Sequence, residues 1–334
     1  RRAGHGGDAL LVGLVQRGGA EILEQPDALL RIWTSFDTPQ VYPLVFTSFW
    51  LESRVWGSHT FGLRLDQIGL HLLATALLWI MLRRLIRAFG ADGESPLAAG
   101  AVAAVTALFA LHPVQVGTVA WLAERKNLLA ACFSSLSLLA YLRFRQGGGW
   151  RAWLSVLVAL TLALLGKTTA VTLPLTFVLL ELTLEGGRRA RDRKSIAALL
   201  SFFLPALTMS GLTVLREHGP KVTSDVGALD RLWIAALGVL HDLKVLLLPV
   251  GLSPIYPRWE VASVRPYAIA AAVLLALLLF AAWHLRRRAP LVTFGAFQFV
   301  LALAPTSGVI PFGYMDHSFV ADHFLYWPSW GAWL

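Results

Sequence analysis

Four basic side chains stand in short polar stretches, where they could bind an anion. Lys167 stands alone between two apolar segments, and Arg258 lies among aromatic residues. Arg125 and Lys126 directly follow Glu124 at the start of another apolar segment. An ammonium attracts a phosphate as a point charge, and a guanidinium can bind two of its oxygens at once. These cations therefore indicate a site for an anionic headgroup, although snorkelling, helix-end solvation and interfacial anchoring are the competing interpretations.

Acids and imidazoles occur in the same polar stretches. His112 ends an apolar segment, and the pairs Asp316-His317 and Asp322-His323 come close together near the C-terminus. A carboxylate in such a stretch could take the proton of an acceptor hydroxyl. The acid–imidazole pairs could also bind a divalent metal. Local hydrogen bonding is the alternative for both pairs, so the sequence leaves the metal requirement open.

The elements that must position these residues are membrane helices. Hydrophobic residues make up 56% of the 334 residues and charged residues 15%. The apolar residues form blocks long enough to cross a bilayer, which takes about 20 residues. The net charge is +9, but the basic residues lie in short loops between these blocks. This pattern predicts an all-α integral membrane protein and argues against a nucleic-acid partner.

The blocks predict about eight spans, with a ninth beginning near residue 324. Residues 1–63 are mixed in composition and are predicted to form a first outer loop with interfacial helices, followed by a membrane module over residues 64–334. The predicted spans cover residues 67–82, 95–111, 127–142, 152–166, 168–184, 196–215, 266–285 and 289–306.

Residues 231–250 are the exception among the apolar blocks. A charged residue such as Asp242 at the centre of a span costs roughly 2.5–3.5 kcal/mol on insertion scales. If this segment does not cross, four basic loops fall on the same side of the membrane, as the positive-inside rule requires. We therefore predict a re-entrant or interfacial segment. The four loops contain Arg83, Arg84, Arg87; Arg143, Arg145, Arg151; Arg188, Arg189, Arg191, Arg193, Lys194; and Arg286, Arg287, Arg288.

This topology gathers the candidate residues on the face opposite the arginines. That outer face then holds cations for a phosphate, acids for a base and an aromatic rim. Transfer of a sugar from a lipid phosphate needs this set, because the acceptor hydroxyl must lose a proton and the departing phosphate must be stabilised by positive charge.

Several motifs resemble signatures of the transmembrane-and-tetratricopeptide O-mannosyltransferase family and its bacterial relatives. The resemblance covers roughly residues 26–330, with the motifs in the family's order. The motifs are Tyr42-Pro43-Leu44, Phe49-Trp50-Leu51-Glu52, Trp56-Gly57, His112-Pro113-Val114, Val119-Ala120-Trp121, Glu124-Arg125-Lys126-Asn127, Lys167-Thr168, Val171-Thr172-Leu173-Pro174, Ile255-Tyr256-Pro257-Arg258-Trp259 and Ser318-Phe319-Val320-Ala321-Asp322-His323-Phe324.

The resemblance implies a helical membrane glycosyltransferase of the GT-C fold. Its donor would be a sugar linked to polyprenyl phosphate, a membrane lipid. Its acceptor would be a protein or glycan, and the transfer would invert the anomeric configuration. It also implies a bacterial inner membrane with the active face on the periplasmic side. Many relatives carry a tetratricopeptide array after the membrane part. Because the chain opens at Arg1 and stops at Leu334, we expect a fragment of a longer protein.

The same resemblance assigns roles to individual residues. The family's acidic pair in the first outer loop is matched by Gly7-Asp8, so Asp8 is the predicted base, with Glu21 and Glu24 as fallback acids. Gly117 stands where the family favours a glutamate. The residues predicted to bind the lipid phosphate are Lys167, Arg258, Arg125 and Lys126, and those predicted for the sugar or acceptor site are His112, Glu124, Asp322 and His323.

Two other functions compete with transfer. The acids missing at Gly7 and Gly117 favour a non-catalytic relative that binds a polyprenyl-phosphate lipid. A transporter or flippase would show inverted internal repeats and broken helices in matching halves. The sequence shows no such repeat, so this third function is the least favoured.

Overall fold

Helices built from the apolar blocks make up the fold. The computed structural model describes residues 22–35, 38, 41–57, 59–90, 95–184, 193–217 and 225–334, and these contain no β-strand. Asp8 and Glu21 lie outside the described residues. The α-helices are α1 (Ala28–Thr34), α2 (Pro43–Trp56), α3 (Thr60–Ala88), α4 (Pro96–Leu111), α5 (Val116–Ala120), α6 (Arg125–Arg145), α7 (Gly149–Gly166), α8 (Leu173–Thr183), α9 (Arg193–Glu217), α10 (Ala228–Leu247), α11 (Val261–His284), α12 (Pro290–Leu303) and α13 (Ser329–Ala332).

The helices confirm the predicted all-α membrane protein. Within the described residues, five segments are long and apolar enough to cross a bilayer, and a helix pair bent by 44°, Pro96–Leu111 with Pro113–Ala120, would make a sixth. The segments predicted at 168–184 and 289–306 form the shorter apolar helices Thr168–Thr183 and Pro290–Thr306. The total of eight or nine spans therefore stays a prediction. The five long segments are Thr60–Ala88, Leu122–Arg145, Gly149–Gly166, Arg193–Leu215 and Val261–Arg287.

Helix α11 presents most of its apolar surface outward. Only 11% of its most apolar stretch is buried, and Val273, Leu277 and Phe280 are among its exposed side chains. A contiguous apolar surface of this kind needs a lipid or protein partner. In an integral membrane protein the lipid hydrocarbon provides it.

Helix α10, which covers the segment predicted to be re-entrant or interfacial, is not among the segments that qualify as spans. Its Asp242 is buried, whereas Lys244 is exposed. The division into a first outer loop and a membrane module stays a prediction.

The C-terminal segment is anchored in the same core as the long helices. This core contains the Tyr141 ring of α6, which stacks on Phe177 of α8 with 4.3 Å between ring centroids, and it also contains Tyr326 of the C-terminal segment. Tyr326 is fully buried, and its hydroxyl lies 2.8 Å from Nδ1 of His71 in α3. This contact holds the short 3-10 helix Asp322–Leu325, which directly precedes Tyr326, against the ends of the membrane helices.

A buried ion pair joins α2 to the start of α6. The Arg125 guanidinium is fully buried and pairs with Glu52. Its Nε also donates to Gln67 at 3.1 Å, and it lies 4.5 Å from the centroid of the Phe49 ring. Burial raises the pKa of the Glu52 carboxyl to about 7, with the Arg125 guanidinium acting in the opposite direction. The pair therefore holds α2 against the start of α6.

Removing Glu52 should destabilise the fold, because Arg125 would be left as a buried charge without its carboxylate. We expect Glu52→Leu to lower the free energy of unfolding by about 3–5 kcal/mol. Denaturation of the purified protein in detergent measures this. Arg54→Gln, at an exposed position of the same helix, is the matched control, and Glu52→Leu/Arg125→Met should recover part of the loss. Equal stabilities for Glu52→Leu and Arg54→Gln would contradict the prediction.

Candidate functional site

Five polar residues from three parts of the chain meet in what we call the lysine cluster: Glu124, Lys126, Asn127, Lys167 and His323. The Asn127 amide is its centre. Its Nδ2 donates to Glu124 at 2.6 Å, and its Oδ1 accepts from Lys167 at 2.6 Å. Nδ2 also donates to the backbone carbonyl of His323 at 3.0 Å. The Lys126 ammonium lies 3.1 Å from Glu124, and His323 Nε2 lies 4.0 Å from the same carboxylate.

Breaks between helices place these side chains. Lys167 has extended backbone angles between α7 and the 3-10 helix Thr168–Thr172, so its side chain leaves the helical register. The preceding Gly166 packs so closely on α6 that an added Cβ would lie 3.2 Å from the Ala130 backbone nitrogen. The Tyr42 hydroxyl, 3.1 Å from that of Thr168, ties the residue that precedes α2 to this break.

Among the five residues of the lysine cluster, two are basic and one is acidic. Burial lowers the pKa of Lys167 to about 8, with the Glu124 carboxylate acting in the opposite direction. Burial also lowers the pKa of His323 to about 4, so this imidazole is neutral at pH 7. Within the cluster, the ammonium groups of Lys126 and Lys167 both interact with the Glu124 carboxylate. An anion bound beside Lys167 would interact favourably with its ammonium.

The cluster also contains polar groups whose hydrogen-bonding capacity is not fully used within the described residues. An ammonium has three N–H donors, and the one hydrogen bond of Lys167 within the described residues goes to Asn127. Nδ1 of His323 is buried and has no partner in that part of the chain. The rings of Trp121 and Tyr314 lie edge-on to this imidazole, at centroid distances of 5.8 and 5.6 Å. The arrangement can therefore bind an anion with further polar groups under an aromatic wall.

A second group, which we call the acid cluster, consists of Asp322, Tyr256, Asp242 and His241. It adjoins the lysine cluster through the peptide bond between Asp322 and His323. The Tyr256 hydroxyl donates to Asp322 at 2.7 Å. Asp242 of α10 lies 3.5 Å from His241 Nδ1, and the His241 ring is edge-on to Tyr256 at 4.9 Å. Burial raises the pKa of Asp242 to about 6 and also raises that of Asp322. These two carboxylates are thereby stronger bases than exposed aspartates.

Three predicted site residues have partners away from the lysine cluster. Arg125 pairs with Glu52, as described above. His112 Nε2 donates to the Leu246 carbonyl at 3.0 Å, while its Nδ1 accepts from the Val114 amide at 3.2 Å. Arg258 holds Asp225 through two hydrogen bonds of 3.0 and 2.5 Å, and a further bond of 2.9 Å joins it to the Met315 carbonyl.

These partners separate the predicted set into two groups. No hydrogen bond or ion pair in the described part of the chain joins Arg125, His112 or Arg258 to the lysine cluster. Lys126, Lys167, Glu124 and His323 are brought together, with Asp322 adjacent. Of the predicted bases, Glu24 is exposed, whereas Asp8 and Glu21 lie outside the described residues.

Sequence reasoning missed Asn127, Asp242, His241 and Tyr256 as site residues. Asp242 and His241 carried a signal, because ionisable groups inside an apolar segment are expensive and commonly functional. Asn127 and Tyr256 stood within motifs but had no distinguishing charge. Within the described residues no group of three or more His, Cys, Asp or Glu side chains is placed to hold a metal ion.

The chain is similar to known membrane mannosyltransferases. The family model for dolichyl-phosphate-mannose-protein mannosyltransferase matches residues 37–212. Two similar proteins from Drosophila melanogaster are the protein O-mannosyl-transferases Tmtc1 and Tmtc2. Tmtc1 is 34% identical over 52% of this chain, and Tmtc2 is 35% identical over 63% of it. The matches span only 20% and 23% of those relatives' own lengths. No solved structure matches the chain significantly.

Affinity for an anionic headgroup should depend on pH through Lys167. Only the charged ammonium would attract an anion, and its pKa is lowered to about 8, so affinity should fall as the pH rises through that value. A polyprenyl-phosphate sugar is a phosphodiester whose own charge stays constant in this range. Its binding to the protein in nanodiscs, measured from pH 7 to 9.5, tests the prediction.

Two variants make the pH test specific. Lys167→Arg keeps its charge at high pH, and should flatten the profile. Lys244→Gln, at an exposed position of α10, should leave the profile unchanged. A wild-type affinity that stays constant across the whole range would refute the role of Lys167.

Proposed function

The chain belongs to the dolichyl-phosphate-mannose-protein mannosyltransferase family, and on that premise we propose that it transfers a sugar from a polyprenyl-phosphate donor to an acceptor hydroxyl. The names of the two fly relatives favour mannose as the sugar and a protein as the acceptor. The observation that carries the proposal is the lysine cluster, in which a buried ammonium with unused donors lies beside a second ammonium and a neutral imidazole.

The lysine cluster suits the departing group of this reaction. The acceptor oxygen attacks the anomeric carbon while the bond from that carbon to the phosphate oxygen breaks. Negative charge then grows on the leaving polyprenyl phosphate. Lys167 and Lys126 are placed to stabilise it, and stabilisation of charge that develops in the transition state accelerates the step. A single displacement of this kind inverts the anomeric configuration.

The acid cluster suits the proton transfer. The acceptor hydroxyl must give its proton to a carboxylate as its oxygen attacks. Asp322 adjoins the lysine cluster and has a pKa raised by burial, which strengthens it as a base. Asp322 is therefore our candidate among the described residues, with Asp8 as the base that the family resemblance implies. Glu124 and Asn127 keep the two ammonium groups in place.

The proposed active face is the extracytoplasmic side of the membrane. The lysine and acid clusters lie at helix ends opposite those that carry the arginine-rich turns. Positively charged loops favour the cytoplasmic side. This orientation would place the donor phosphate in the outer leaflet and the acceptor outside the cell or in an equivalent compartment. In a bacterium this is the periplasmic side of the inner membrane.

Loss of the Lys167 ammonium should abolish most transfer. We expect Lys167→Ala to lower kcat about 10²–10³-fold, the usual effect of removing one donor to a developing charge. Transfer of labelled sugar from a panel of polyprenyl-phosphate donors, with membranes containing the protein, measures this. Lys244→Ala is the matched control. Asp322→Asn should also reduce transfer while leaving donor binding intact. Full activity in Lys167→Ala would remove the assigned role.

A second candidate function is a non-catalytic lipid-binding relative. An added Cβ at Gly117 would lie 4.0 Å from Cβ of Asp322 without a clash, so a side chain at this position would begin beside the acid cluster. On our leading proposal, Gly117→Glu leaves transfer within about threefold of wild type, because Asp322 or Asp8 supplies the base. No transfer in the wild type together with turnover gained in Gly117→Glu would establish the non-catalytic relative instead.

A further inference from the structure

We propose that the arginine-rich end of the protein binds one anionic phospholipid in a crevice between α3, α6 and α7. This arginine crevice has a volume of about 700 Å³, within the range of roughly 300–1,000 Å³ typical of ligand sites. Arg84 of α3, Arg143 of α6 and Arg151 of α7 line it. The proposal concerns the end of the helices away from the lysine cluster and is independent of the proposed function.

The three lining arginines have no acid partner within the described residues. Their neighbour Arg145 shows the contrast, because its guanidinium holds Glu181 through contacts of 2.5 and 3.3 Å. Arg84, Arg143 and Arg151 are exposed and border one concave surface. Three guanidinium groups in this arrangement can share a phosphate, for which their planar donors are well suited.

The crevice continues as an apolar groove along the same helices. A second cavity of about 330 Å³ shares Leu136, Ser155 and Ala159 with the first and extends to Phe133 and Leu162. Along α6, Phe133 and Arg143 are ten positions apart, which corresponds to about 15 Å. This is half of a hydrocarbon core of about 30 Å. The groove therefore has the length of one acyl chain in one leaflet, and it ends at the guanidinium groups.

The charge and position select the occupant. A phospholipid of the arginine-side leaflet places its phosphate at the depth of the guanidinium groups when its acyl chain lies along the groove. An anionic headgroup balances three positive charges better than a zwitterionic one, since each basic residue near an anionic surface contributes about 1 kcal/mol. Basic pockets between membrane helices are typical sites for anionic headgroups.

The sugar donor is not the occupant. Along α6, Lys126 and Arg143 are seventeen positions apart, which corresponds to about 26 Å. A donor whose phosphate is bound beside Lys126 and Lys167 cannot place that phosphate at the arginine crevice. If the proposed donor site is correct, the protein has two phosphate-binding sites on opposite leaflets, and α6 and α7 contribute to both.

Native mass spectrometry of the purified protein with defined lipids tests the proposal. Phosphatidylglycerol and phosphatidylcholine with identical acyl chains are the two main probes. We expect one phosphatidylglycerol to bind in preference to phosphatidylcholine, with an affinity that falls roughly fivefold for each guanidinium removed. Arg84→Gln, Arg143→Gln, Arg151→Gln and the triple variant measure that loss. Arg83→Gln is the matched control, because Arg83 is exposed on the same helix turn but does not line the crevice.

Two further measurements distinguish the contribution of the groove to lipid binding from that of the guanidinium groups and from an effect on folding. Ser155→Trp fills the groove from an exposed position that both cavities share, and should weaken phosphatidylglycerol binding with all arginines present. An unchanged melting temperature of the triple variant in phosphatidylcholine shows that its fold is intact.

Several outcomes would overturn the proposal. These are equal binding of the two phospholipids, an affinity unaffected by the triple variant, competition by inorganic phosphate at equal concentration, and preferential retention of polyprenyl phosphate at this site.

Discussion

The buried ion pair between Glu52 and Arg125 is the constraint on which the candidate site depends. It joins α2 to the first residue of α6. A charge buried at the start of a membrane helix is tolerated only with its counter-charge, so the two helices cannot separate cheaply. Successive residues of a helix point about 100° apart. Fixing Arg125 toward Glu52 therefore turns Lys126 away from that partner and toward the lysine cluster.

The lysine cluster itself is not arranged for stability alone. The Lys167 ammonium is buried, and its one hydrogen bond within the described residues goes to the neutral Asn127 amide, an arrangement that costs free energy. The amide of Asn127 separates Lys167 from Glu124 and accepts only one of its donors. Local arrangements that oppose folding in this way commonly mark functional sites. The adjacent acid cluster adds two carboxylates whose raised pKa values favour proton acceptance.

The two ends of α6 and α7 have different chemistry, and the membrane explains the division. At one end the residues next to the helix breaks converge as the lysine cluster, which excludes most solvent. At the other end Arg84, Arg143 and Arg151 stay exposed around an apolar groove. A bilayer presents phosphates at both surfaces and hydrocarbon between them. The same two helices can therefore contact a lipid phosphate in each leaflet.

The sequence alone determined the all-α membrane class, because apolar blocks of bilayer length leave few other folds. Its spacing also placed Lys167, Lys126, Glu124 and His323 in polar breaks between those blocks. Only the tertiary structure decided which partner each cation contacts. Arg125 has the same charge as Lys126 and is its neighbour in the chain, but it forms an ion pair with Glu52, which is 73 positions away. Such pairings depend on how helices rotate and pack against each other, and periodicity along one chain carries no information about that.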